Sequence, residues 1–163
     1  MKSNQAAELL ELSLEYENNA RAIYLKWSEL FAGAPEAAEF WSGYAFEEAV
    51  HARLLETLRE RLTPEQLAMN IENDLAGDTR RLLVFLQKEQ KIEDLEQAYQ
   101  TANMIETSEI NPLFELVMST FESDQKAITF LRSQLDEHVA KLIYHFPKQY
   151  ARPEQRRAVK VQP

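Results

Sequence analysis

Apolar residues recur at intervals of three and four along most of the chain, the spacing that lines one face of an α-helix. That period predicts four long helices, over about Asn4–Ala32, Pro35–Leu62, Ile92–Met118 and Ser123–Phe146. Gly33-Ala34-Pro35 separates the first two, with Gly33 suited to a C-terminal cap and Pro35 to a first helical turn. Thr63-Pro64-Glu65-Gln66 reads as a capping box, and Asp78–Gln90 as a short helix within the long connection that follows. Pro112 lies inside the third span, where a missing N–H should kink or disturb the helix. Two short links and one long one make a bundle with a single crossover, the third helix running parallel to the second.

The inner stripes carry the chemistry. They run Leu10, Ser13, Glu17, Ala20, Tyr24, Trp27, Phe31 in the first helix and Trp41, Tyr44, Glu48, His51, Leu55, Leu58, Leu62 in the second. The third has Leu95, Tyr99, Ala102, Glu106, Glu109, Leu113, Leu116, and the fourth Ile128, Leu131, Leu135, His138, Leu142, His145. Each stripe is apolar except near its middle, where ionisable side chains interrupt it. A buried carboxylate costs several kcal/mol unless it is paired, protonated or bound to a cation. Glu17, Glu48, His51, Glu106, Glu109 and His138 are therefore expected to meet at one internal site. Carboxylates with imidazoles suit iron, manganese or zinc. A metal-free network sharing protons is the competing account, since clustered carboxylates raise one another's pKa. Glu48-Ala49-Val50-His51 is an E-x-x-H pair, one turn apart on one face. His145 stands about 10 Å beyond His138 along the helix axis and reads as a helix-end residue. Any of the inner tyrosines is able to support a ligand, and the pattern does not choose among them.

Composition narrows the classes. The 163 residues include no cysteine and 3 glycines, which excludes disulfides, Cys-ligated metal and thiol catalysis, and leaves little for a phosphate-cradling loop. The net charge of −9 argues against nucleic acid as a partner. From Pro147 onward the balance reverses: Lys148, Arg152, Arg156, Arg157 and Lys160 face Glu154 alone. Residues 147–163 lack apolar periodicity and read as a loose basic tail after a bundle spanning 1–146, suited to an electrostatic contact with an acidic surface. No apolar run is long enough to span a membrane, and the acids within the first apolar stretch do not suit a signal peptide. A soluble, cytoplasmic protein is expected, as a homo-oligomer with a dimer foremost.

Glu17-Asn18-Asn19-Ala20-Arg21-Ala22-Ile23-Tyr24 resembles the first helix of the rubrerythrin group of ferritin-like proteins. Glu48-Ala49-Val50-His51-Ala52-Arg53-Leu54 resembles its second-helix motif, and Ala102-x-x-x-Glu106-x-x-Glu109 its third. The likeness covers about residues 5–146 and implies an all-α ferritin-like four-helix bundle. It also implies a carboxylate-bridged di-iron centre handling peroxide or oxygen, with Glu17, Glu48, His51, Glu106, Glu109 and His138 as metal ligands. Two departures stand out. A second E-x-x-H is expected on the fourth helix, but Leu135 occupies the Glu position, with Gln134 one turn before His138, and Asp136 and Glu137 roughly 100–200° away. The lack of cysteine removes the rubredoxin-type module, so redox work would need an external electron donor. Two functions stay open: a rubrerythrin-like oxidoreductase with a di-iron or single-metal half-site, and a ferritin-like scaffold without the complete site that serves binding or assembly.

Overall fold

The computed structural model describes residues 5–71, 75–88, 91–108, 129, 133, 137–138 and 140–161. These residues form an all-α bundle with two isolated bridge pairings, Gln5 with Asn70 and Asp94 with Lys160. Helix α1 (Ala6–Leu30) and helix α2 (Pro35–Arg61) pack along each other as a long hairpin. Their turn closes with Ala34 N–H donating to Phe31 O at 2.8 Å, and Pro35 begins α2 as expected. The glycine cap is corrected. Gly33 has no positive φ, and the C-cap is Phe31 at φ −102° and ψ 22°, so a three-residue turn reverses the chain without a left-handed residue.

The connection carries two helices, α3 (Pro64–Leu67) and α4 (Leu75–Gln87). The Thr63 capping box forms in both directions, at 3.3 and 2.9 Å. Ala76, Thr79, Leu83 and Leu86 make the buried stripe of α4, which lies against α1 with Arg80 ion-paired to Glu8. Helix α5 (Leu95–Glu106) starts from the Asp94 cap, whose carboxylate accepts from Gln97 N–H at 3.0 Å. It ends at Glu106, with Thr107 and Ser108 outside the helix, and residues 109–118 of the expected span, Pro112 among them, lie outside the described residues. Of the expected fourth helix, residues 129, 133, 137–138 and 140–144 are helical, and Leu135 lies outside the described residues.

The segment after Pro147 also differs from expectation. It forms a 3-10 turn, Lys148–Tyr150, and helix α6 (Pro153–Ala158), which packs on α5. Arg156 is buried, pairs with Glu96, donates to Tyr150 O and Ala151 O, and lies 4.1 Å from the Tyr99 ring centroid. Polar anchors, together with Tyr150, Val159 and Val161 packed against the core, hold this segment where apolar periodicity is missing.

An aromatic layer fills one end of the core. Tyr24, Trp27, Trp41 and Tyr44 are almost completely buried, and Phe146 closes the layer against Phe40, Trp41 and Tyr99. Burial of this much aromatic surface fixes the relative rotation of α1, α2 and α5, and so the direction of the polar residues one or two turns further on. Among the described residues no helix is long and apolar enough to cross a membrane.

Candidate metal centre

Beyond the aromatic layer, four helical segments each turn an ionisable side chain inward. Glu17 comes from mid-α1, Glu48 and His51 from adjacent turns of α2, Glu106 from the end of α5, and His138 from the segment before Leu142. All five are buried. His51 Nδ1 lies 3.2 Å from Glu48 Oε2 and 3.6 Å from Glu17 Oε2. His138 Nδ1 lies 2.9 Å from Glu106 Oε2, and its Nε2 lies 3.8 Å from Glu48 Oε1. The two imidazoles meet edge to face with centroids 5.0 Å apart. One ligand atom each from Glu48, His51 and His138 fall within 4.8 Å of one another.

Neighbours hold these groups in place. Tyr24 donates its hydroxyl to Glu106 Oε1, which answers which inner tyrosine supports a carboxylate. That support matters because Glu106 ends its helix, where the macrodipole disfavours an anion. Tyr44 donates to the His138 carbonyl at 2.8 Å while its ring stacks on the imidazole. Tyr16 ties α1 to the last turn of α5 through Ile105 O at 3.1 Å.

The electrostatics give the cluster a way to balance its charge with protons. Burial, then the charges of Glu17 and Glu106, push the Glu48 carboxyl well above the usual carboxylate range and so favour its protonated form. Burial acts in the same sense on Glu17, but hydrogen bonds with His51 and Glu48 overcome it and leave Glu17 below its ordinary value. Burial would lower both imidazoles, yet the facing carboxylates win. His51 is raised by Glu17, and His138 is pushed up to about 10 by Glu106, Glu47 and Glu48. Protons thus stand where cationic charge is needed.

Five of the six sequence-expected residues come together, and Glu109 lies outside the described residues. Gln134, Leu135 and Asp136 lie outside them too, while Glu137 and His145 are exposed. Sequence reasoning passed over Glu47. Its Oε2 is 3.1 Å from His138 Nε2, and its other oxygen pairs with Lys141. The signal was the acidic doublet Glu47-Glu48 together with a lysine one turn after His138. A cavity of about 510 Å³ opens here, with Glu47, His51, His138, Lys141 and Tyr144 on its wall.

Over residues 8–144 the sequence matches the rubrerythrin family model. The chain belongs to the rubrerythrin family. No curated protein and no solved structure matches it. Rubrerythrin membership makes this all-α bundle a ferritin-like one, as its sequence pattern implied. Like the rest of the sequence, the matched stretch has no cysteine, so none of these residues builds a rubredoxin-type iron site. The buried donors fit a divalent transition metal in chemistry and spacing. His138 Nε2 in particular is buried and makes no hydrogen bond, although it lies between Glu47 and Glu48.

Proposed function

We propose that this rubrerythrin-family protein is a non-haem iron oxidoreductase acting on peroxide or oxygen. Glu17, Glu48 and His51 hold one metal, and Glu106 with His138 a second. Glu48 and Glu109 are the candidates for bridging or exchangeable ligation. The observation that carries the reading is the meeting of Glu48, His51 and His138 within 4.8 Å, deep in a bundle of this family. Manganese or zinc suits the same donors. Bound iron would supply a ferrous–ferric couple for the reduction. The chain's own residues orient and protect: Tyr24 fixes Glu106, Tyr44 fixes the His138 backbone, and the aromatic layer keeps water from one side. The cavity beside His51 and His138 admits a molecule of peroxide size. Electrons come from an external donor, since the sequence holds no thiolate-ligated iron. The working form is a cytoplasmic homo-oligomer, most simply a dimer.

Metal content after purification from iron-replete cells tests this, with Glu48→Ala/His51→Ala as the comparison. About two irons per chain, lost in the variant, with reductant-dependent peroxide consumption lost alongside, is the expected result. No metal in either protein overturns it and favours the second reading, a scaffold without the complete site, to which Leu135 points.

A further inference from the structure

We propose that Glu47 is a metal ligand on the His138 side of the centre, supplying a carboxylate from α2 that the His138 helix lacks at Leu135. The inference rests on the metal-binding reading above and adds a donor to it. Successive helical residues point about 100° apart. Glu48 therefore faces the interior, while Glu47 reaches along the seam between α2 and the His138 segment. There its Oε2 stands 3.1 Å from His138 Nε2, a buried nitrogen without a hydrogen bond, which also has Glu48 Oε1 at 3.8 Å. An imidazole nitrogen between two carboxylates, with nothing donating to or accepting from it in good geometry, is an arrangement a cation completes.

Charge supports the same assignment. Among the described residues Glu17, Glu48 and Glu106 bring three negative charges to the four positive charges of two divalent cations, and Glu47 is the further carboxylate within reach of His138. Lys141 is the competing partner, because it binds the other Glu47 oxygen. Its ammonium is not committed to that role: it is partly exposed and lies 5.1 Å from the Tyr44 ring centroid. Water and the ring face can keep it when Glu47 turns to a metal. Glu47 also lines the cavity, so a hydrated cation can reach it from solvent.

The test is anaerobic titration of the metal-free full chain with Fe(II) by calorimetry and with Co(II) by visible absorption. Wild type, Glu47→Gln, Glu47→Asp and Glu48→Gln are compared. Wild type should bind two metals. Glu47→Gln should weaken one of them by more than about tenfold and shift the Co(II) bands, leaving the other in place. Should the amide variant fail to fold, Glu47→Asp decides: it keeps the charge but shortens the reach, and a weakened metal with shifted bands supports the proposal. Unchanged binding in whichever variant folds overturns it. So does weaker binding with unaltered Co(II) bands, which would mean that Glu47 acts only through its charge. In both of those outcomes loss of metal from Glu48→Gln leaves the broader reading standing. If wild type takes up neither ion, the broader reading falls and this one with it.

Discussion

Glu48 and His138 make the centre sensitive to pH in opposite ways with and without a metal. The folded pKa of His138 is raised, from 6.5 to about 10. A raised value means that the native state holds the proton more tightly than the unfolded chain does. Its contribution to stability is complete below pH 6.5 and is lost as pH climbs through about 10. Glu48 acts in the same sense, because its carboxyl is also raised. The metal-free protein should therefore lose thermal stability steadily between pH 7 and pH 10. A metal ligand must shed its proton, so affinity should climb across the same interval, with protons released on binding. Titration calorimetry in two buffers of different ionisation heat reads that release directly, and a signal independent of buffer would mean that neither His138 nor Glu48 gives up a proton. Tyr24→Phe tests a different residue. It removes the buried hydroxyl that donates to Glu106 Oε1, and should cost about 1–3 kcal/mol in urea unfolding. At this scale the sequence was informative where a polar residue sat on the inner stripe, as Glu17, Glu48, His51, Glu106 and His138 all do. Glu47 escaped notice because it lies off that stripe. Only the position of the neighbouring His138 helix turns such a residue toward the site.

Helices whose burial is periodic were legible, and segments held by polar contacts were not. The stripes of α1 and α2 are buried as the spacing required, from Leu10 to Trp27 and from Trp41 to Leu58. Helix α6 has no such stripe. Its attachment runs through Arg156 to Glu96, Lys160 to Asp94 at 3.0 Å, and main-chain bonds from Leu95 N–H to Val159 O and from Val161 N–H to Glu93 O, each at 3.0 Å. The pattern of a solvated basic extension and that of a docked one are alike in sequence, since long-range ion pairs leave no local period. The docking also bears on the centre, because Asp94 caps α5 and α5 ends on Glu106. Arg156→Ala strands Glu96 in a buried position and should destabilise the protein by about 3–5 kcal/mol. Arg156→Lys restores charge but not the fork that reaches Glu96 and two carbonyls together, so it should recover only part of that loss. Equal midpoints for wild type and Arg156→Ala in chemical unfolding would show that α6 is not held by this contact.

The whole bundle joins these scales through its charge. A net charge of −9 includes carboxylates on inner helix faces as well as the solvated surface, and a folded chain must neutralise the buried ones. Protons do so in the metal-free state, at the pH cost described for His138. A divalent cation does so without that cost, so metal binding and folding are linked. A ligand that binds only the native state at a hundredfold excess over its dissociation constant adds about 2.7 kcal/mol. For a chain of this length that corresponds to a rise of about 5–10 °C in the unfolding midpoint. Near pH 7, Fe(II) under anaerobic conditions should produce such a rise in wild type. The same addition should leave the midpoint of Glu48→Ala/His51→Ala unmoved, even if replacing buried charge makes that variant more stable without metal. The comparison separates an internal centre from the acidic exterior, because surface carboxylates are intact in both proteins and bind cations alike. A midpoint that rises equally in the two would assign the effect to the exterior. A rise confined to wild type, and smaller at pH 6 than at pH 8, ties it to the buried groups that must give up protons.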